Sequence, residues 1–455
     1  MRKSPFLFAC AAVLTSAMAQ SATTTQTKHW LPTWGTAEMV LPSTADAAKN
    51  LPVGKQAVTL RQVVHISQGG KRMRITFTNE FGTTPLRIDA AHVAFLSAGS
   101  KILMNTDRPL TFSGQPGITI APGQFASSDA VVETVPIFSD LVISTYLPVQ
   151  ELPAITYHAA AHTTTYVAQG NIVTAEQLLP LLTTPPGLGT PNVTAPLAAP
   201  LDTKAIVQSA TQPGTTNGTG QQDTGSVLQT TSWYFLKDVE VDRTRKSAAV
   251  VAFGDSITDG TGSTSETNRR WPDVLAPLLA SGKKTAALSV VNEGIGGNRI
   301  LHEGTGPSAL DRFDREVLNQ PGVRYVLMLE GINDIGNMHR APADAITQQQ
   351  LEDGLTTLAA RAHARGVKFI PATILPYNGA KYFSPDGEQM RQNVNTFIRT
   401  STLFDGFVDF DKVTQDPEHP DRLLPKYDHG DHLHPSDEGY AAMGAAINLK
   451  LFRKK

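Results

Sequence analysis

The chain has 455 residues, about three times a ~150-residue domain, so one to three domains are expected. With 40% hydrophobic and only 18% charged residues, the composition excludes a wholly disordered chain, a coiled coil and a collagen-like repeat. A formal net charge of −2, without a basic run, excludes electrostatic capture of nucleic acid, and the single cysteine excludes an intrachain disulfide framework or a cysteine-based zinc site.

The sequence opens MRKSPFLFACAAVLTSAMAQ. Arg2 and Lys3 form a charged start, residues 6–14 an apolar stretch, and Ala17-Met18-Ala19 a small-residue cleavage signature. This pattern predicts a secretory signal peptide over residues 1–19, cleaved after Ala19 and too short to span a bilayer. Two readings compete with it, a buried N-terminal helix and a lipoprotein signal ending at Cys10, although Phe8 fits the second poorly. Cys10 lies inside the segment, so the mature chain is expected to lack cysteine. No later apolar stretch approaches the ~20 residues of a membrane span. A secreted or periplasmic protein without integral membrane association is expected.

From residue 27 to 246 the pattern is short alternating or β-branched runs broken by Gly, Pro and Asn, notably 58–67, 72–79, 87–96, 140–147 and 233–241. It predicts an all-β sandwich or jelly-roll-like domain, with one short helix near 175–182. Trp30, Trp34, Trp233 and Tyr234 either fill the core of that sandwich or stack on sugars. Residues 183–225 are dominated by Thr, Pro, Gly, Ala and Gln, with Asp202, Lys204 and Asp223 the only charges. That composition predicts a long excursion without a packed core of its own; a flap shaping the substrate site is the sharper alternative.

From Ser247 to Lys455 the texture changes to strand–helix alternation. Apolar runs at 248–253, 288–291, 325–329, 367–374 and 407–410 predict strands buried on both faces. Residues 271–280, 348–365, 388–400 and 438–451 predict helices, with Leu351, Leu355, Leu358 and Ala362 at helical spacing. The alternation predicts an α/β domain, a parallel sheet with helices on both faces. In such sheets ligands bind beyond the carboxyl ends of the strands, so the loops there carry the chemistry.

The first of these strands runs into Gly254-Asp255-Ser256-Ile257-Thr258-Asp259-Gly260, where two glycines bracket a turn that presents a hydroxyl; Ser256 or Asp255 acting only as a helix cap is the plainer reading. The second ends in Asn292-Glu293-Gly294-Ile295-Gly296-Gly297-Asn298, where missing Cβ atoms let a backbone N–H approach a ligand, a plain turn being the simpler reading. The third ends in Glu330-Gly331-Ile332-Asn333-Asp334, which offers a side-chain amide or an Asx turn. Near the chain end stands Asp428-His429-Gly430-Asp431-His432-Leu433-His434-Pro435. Asp431 precedes His434 by three residues, close enough to orient its imidazole as a general base. Three histidines and two aspartates in seven residues also suit a metal site, the competing reading of this loop, beside a merely solvated one. A hydroxyl, an oriented imidazole and amide donors, each from a different loop, are a full set for acyl transfer.

These four blocks, in this order over residues 249–447, resemble the GDSL/SGNH esterase–lipase superfamily. The resemblance implies a three-layer α/β/α, flavodoxin-like catalytic domain over residues 247–455, working without metal or cofactor. It implies Ser256 as nucleophile, His434 as base and Asp431 as its orienting carboxylate. The backbone N–H groups of Ser256 and Gly297 and the Asn333 side chain would form the oxyanion hole; the family's spacing after Asn292 favours Gly297 over Gly296. His429 and His432 carry no family role. In the amino-terminal region, Trp30-Leu-Pro-Thr-Trp-Gly-Thr, Leu60-Arg-Gln-Val-Val-His and Thr78-Asn-Glu-Phe-Gly-Thr resemble the β-domain of secreted two-domain esterases of this superfamily. That second resemblance implies acetyl or aryl esters of plant cell-wall material as substrates, of which short-chain, above all acetyl, esters of the polysaccharide are preferred. A lipase, lysophospholipase or aryl esterase would use the same groups. A glycan-binding module with a vestigial site is the non-enzymatic alternative, against which the complete set of five residues argues.

Overall fold

The computed structural model describes residues 28–178, 227–244 and 246–453. The expected signal peptide and the 183–225 excursion lie outside the described residues.

The amino-terminal region is built almost wholly of antiparallel strands. One sheet orders Lys28–Gly35, Leu236–Thr244, Met73–Thr78 and Phe125–Ser127; a larger one centres on Val58–His65, flanked by Thr165–Gln169 and Asp140–Leu147. Leu60, Val64, Leu141 and Ile143 of the larger sheet share one core with Ile75, Phe77, Val239 and Val241 of the smaller, which makes the predicted sandwich. Trp34, Trp233 and Tyr234 are buried in it, and Trp34 and Trp233 meet edge-on at 4.9 Å, so they are core rather than a sugar platform. Trp30 is half-buried under the guanidinium groups of Arg72 and Arg74.

Three expectations for this region need correction. The run 233–241 is two strands, Trp233–Tyr234 and Leu236–Thr244, because Phe235 adopts a left-handed φ of 58° and sends the chain from one sheet to another. The run 87–96 likewise divides into Leu86–Ile88 and Ala90–Ala98. No helix forms over the described part of 175–182, residues 175–178. There the fully buried Arg61 donates to the carbonyls of Val173, at 3.3 Å, and Ala175, at 2.6 Å, removing acceptors that a helix would need.

The carboxyl-terminal region is the predicted α/β unit. Its strands Leu288–Gly294, Ala248–Gly254, Val323–Leu329 and Lys368–Pro371 lie parallel in that spatial order. Right-handed crossovers from an order of 2-1-3-4 put Trp271–Ser281 on one face and Gln348–Ala364 on the other. Asp437–Ala446 packs with the first helix and Pro385–Thr400 with the second. The predicted fifth strand, 407–410, reduces to a single bridge between Ala372 and Val408. Asp409 ends it by capping the helix Phe410–Thr414, its carboxylate accepting the Lys412 N–H at 3.2 Å.

The two regions are joined along a sheet edge. The outer strand Leu288–Gly294 would expose unpaired backbone groups, and side chains of the sandwich satisfy them. Ser67 Oγ accepts the Val290 N–H at 2.9 Å and donates to the Val290 carbonyl at 2.7 Å; Gln68 Nε2 donates to the Leu288 carbonyl at 2.9 Å.

Candidate active site

All seven residues of Ala248–Gly254 are buried, and the strand delivers the chain into a crowded turn. A Cβ on Gly254 would lie 2.2 Å from the Leu329 carbonyl oxygen and 2.4 Å from Thr258 Oγ1, so only glycine fits. Asp255 caps the following four-residue helix Ser256–Asp259 by accepting the Ile257 N–H at 2.9 Å, and Gly260, at φ 114°, ends it. Ser256 therefore occupies the first helical position. Its backbone N–H has no partner within the helix, and its hydroxyl stands at the sheet's carboxyl edge.

The Ser256 Oγ lies 2.8 Å from His434 Nε2, and His434 Nδ1 lies 2.6 Å from Asp431 Oδ2. The other oxygen of Asp431 accepts the N–H groups of Leu433, at 3.1 Å, and His434, at 2.9 Å, which fixes the carboxylate against its own loop. A carboxylate only accepts, so Nδ1 carries the hydrogen and the Nε2 lone pair faces the serine hydroxyl, which donates to it. Burial pushes the Asp431 carboxyl up, but the His434 hydrogen bond, the charge of that ring when protonated and the two backbone donors outweigh it and hold Asp431 well below the usual carboxylate range.

The amide donors sit beside this chain. Gly294 packs so closely that a Cβ would lie 2.2 Å from the Asp259 nitrogen, and a Cβ on Gly296 would be 3.9 Å from that of Ser256. The Gly296 N–H is taken by Asp259 Oδ2 at 3.1 Å. That of Gly297, at a left-handed φ of 79°, carries no hydrogen bond among the described residues. Of the two glycines, the second is thus the free donor. Asn333, in the first turn of Ile332–Asn337, spends one amide hydrogen on the Asn298 carbonyl at 3.0 Å, which leaves the other for a ligand. Asp334 ties these loops together by accepting the Ile300 and Leu301 N–H groups at 2.8 and 3.1 Å. Burial lifts Asp334 to about 6 and Asp255 to about 7, against their backbone donors.

Hydrogen bonds join Ser256, His434 and Asp431 at this edge, with the Gly296-Gly297 turn beside Ser256 and Asn333 bonded to the Asn298 carbonyl that follows it. The neighbouring histidines do not join them: His432 pairs outward with Asp428 at 2.6 Å, and the His429 ring packs against Gly262. Among the described residues, no three His, Cys, Asp or Glu side chains are arranged to hold a metal ion.

Two supporting residues escaped the sequence reading. Tyr382 donates its hydroxyl to Asn333 Oδ1 at 3.2 Å, which orients the amide, and Gly336 leaves the space for the Tyr382 ring. Arg312, fully buried, donates to the carbonyls of Gly254 and Glu293 at 2.8 and 2.7 Å and to Asn298 Oδ1 at 2.9 Å, and pairs with Glu316 and Glu330. It braces the ends of the first two strands from beneath. In the run Asp-Arg-Phe-Asp-Arg-Glu it reads as one more solvated charge, and nothing in the sequence marks it as interior.

Residues 252–442 match the family model of the GDSL-like lipase/acylhydrolase family. This stretch is a GDSL-like lipase/acylhydrolase domain. It makes the protein a carboxylic ester hydrolase. Among solved structures, a GDSL-like lipase from Bacteroides thetaiotaomicron is 24% identical over 46% of this chain and 90% of its own, with a TM-score of 0.36. An acetylxylan esterase from Geobacillus stearothermophilus is 22% identical over 47% of this chain and 98% of its own, with a TM-score of 0.35. A search of curated proteins found no match. No helix among the described residues is long and apolar enough to cross a membrane.

Proposed function

We propose that the protein is a serine esterase working through an acyl-enzyme. Ser256 Oγ attacks the ester carbonyl carbon while its proton passes to His434 Nε2, and Asp431 stabilises the imidazolium that forms. The charge that develops on the carbonyl oxygen is held by the N–H groups of Ser256 and Gly297 and the free amide hydrogen of Asn333. The tetrahedral intermediate expels the alcohol, protonated by His434. Water, activated by the same imidazole, then releases the acid and restores the serine. What supports this reading above all is the unbroken hydrogen-bonded chain from Ser256 through His434 to Asp431. Ser256→Ala should abolish p-nitrophenyl acetate hydrolysis without lowering thermal stability, and an active-site serine phosphonate should label Ser256 in the wild type. Full activity in the folded variant would overturn the assignment.

The substrates we propose are short-chain esters, with acetyl groups on cell-wall polysaccharide preferred. The acid–base loop stands open, Asp431 being 46% and His432 56% exposed, which suits a bulky polymeric alcohol lying across the surface. A steep preference for acetyl over C8 chains, with release of acetate from acetylated xylan, is the expected profile. Good turnover at C8 or longer would favour a lipase instead. We further propose export through the amino-terminal signal, which predicts a secreted chain beginning at Gln20.

A further inference from the structure

The sandwich places one buried histidine against the catalytic turn. His158 ends the strand Ala154–His158 and is 2% exposed, with the Trp233 ring 5.6 Å away. Its Nδ1 lies 2.7 Å from the Ala37 carbonyl oxygen, and its Nε2 lies 3.1 Å from Asp259 Oδ1 and 3.3 Å from the Ala160 carbonyl oxygen. Carbonyls only accept, so both ring nitrogens must carry hydrogen, and the ring is an imidazolium facing a buried carboxylate. Burial by itself would strip that proton; the Asp259 charge and the three hydrogen bonds outweigh burial and raise the His158 pKa. Burial also pushes Asp259 up; His158 first, then His162 and Arg270, more than reverse this. The last two are the other charged or titratable groups facing Asp259, His162 standing at 4.0 Å with its pKa lowered by burial.

Asp259 stands three residues after Ser256 on the same short helix, and its second oxygen holds the Gly296 N–H. A line of contacts therefore runs from the Ala37 carbonyl through His158 and Asp259 to the turn that carries Gly297. We propose that His158 is a positioning residue of the esterase, supplied by the sandwich: its ion pair with Asp259 sets the distance between the Ser256 turn and the Gly296-Gly297 turn, and so gathers the oxyanion donors. This rests on the site reading above. It makes the sandwich part of the catalytic apparatus even for esters too small to touch it.

Two variants of the full chain test this. In His158→Gln one side chain cannot donate to both Ala37 and Asp259. In Asp259→Asn, an isostere, the single oxygen can serve His158 or Gly296 but not both. Each should lower kcat for p-nitrophenyl acetate by about 10- to 100-fold, the range for a misplacement of the reacting groups on the order of 1 Å, while KM changes little. The Ki of a trifluoromethyl ketone, which forms the tetrahedral adduct, should rise by the same factor as kcat/KM falls. The double variant should lose no more than the worse single one, because both break one unit. Normal kcat in either folded variant overturns the proposal, as does a fall in kcat/KM with unchanged ketone affinity. If His158→Gln does not fold, Asp259→Asn decides alone. Ser256→Ala separates the two claims: an inactive Ser256→Ala beside a fully active Asp259→Asn refutes only the positioning role, whereas an active Ser256→Ala refutes the site itself.

Discussion

Replacing Asp431 with asparagine separates two ways in which a carboxylate can serve a catalytic histidine. One oxygen of Asp431 accepts the Leu433 and His434 N–H groups, and the other faces His434 Nδ1 at 2.6 Å. An asparagine that keeps the backbone bonds must hold its oxygen in the first position, which turns its NH2 group towards Nδ1. Nδ1 then has to accept, the ring hydrogen moves to Nε2, and the face 2.8 Å from Ser256 Oγ can no longer take a proton. The wrong tautomer costs about 10⁴ in kcat in a Ser-His-Asp arrangement, or about 5.4 kcal/mol at about 1.36 kcal/mol per factor of ten. If Asp431 supplied only charge, the loss would be far smaller. Its side chain is 46% exposed, and a screened pair of that kind contributes about 1 kcal/mol or less, under about tenfold. Initial rates of p-nitrophenyl acetate hydrolysis across pH, with melting temperature as the fold control, measure the difference. A loss of tenfold or less in the folded variant would refute the tautomer argument.

Asn333→Ala removes one of the proposed oxyanion donors and should lower kcat by about 10²–10³ with KM little changed; a change confined to KM would move Asn333 from transition-state to substrate contact. Arg312→Met leaves Glu330 buried without its cation and Glu316 with Arg315 alone, and should cost about 3–5 kcal/mol, read from the urea midpoint; a shift under about 1 kcal/mol would show that the arginine is not the brace described. Glu38, buried against Lys237 with neither oxygen hydrogen-bonded among the described residues, is pushed by burial from an ordinary 4.5 up to about 8. The folded chain thus binds that proton more tightly than the unfolded one, and stability falls as pH rises from about 4.5 towards 8. Glu38→Gln cannot titrate, so its melting temperature should decline less between pH 5 and 8; equal slopes in the two proteins would sink this account.

The sheet of the catalytic half was legible because parallel strands buried on both faces must be apolar runs, and 248–253, 288–291 and 325–329 are just that. The fifth run, 407–410, misled because periodicity says nothing of Asp409, whose carboxylate capped a helix instead. Phe235 misled in the same way: a bulky residue at positive φ is permitted only by packing around it, and no local preference announces it.

What the sequence determined by itself is the local geometry at the strand ends on which the proposed chemistry rests. A turn before Ser256 with no room for a Cβ, a glycine at positive φ and a carboxylate reaching a histidine on one loop are short-range demands, so they leave short-range signatures at Gly254, Gly297 and Asp431. What only the tertiary structure decided is which distant side chains hold that chemistry in place. His158 lies 101 residues from Asp259, and Tyr382 lies 49 from Asn333. Arg312 is told from a solvated arginine only by the carbonyls that surround it. A buried charge or hydroxyl is acceptable only where partners satisfy it, and those partners come together when the chain folds. The sandwich shows this most plainly: its sequence reads as a separate β-domain, yet its Ser67 and Gln68 close the edge of the catalytic sheet, and its His158 faces the turn that carries Ser256.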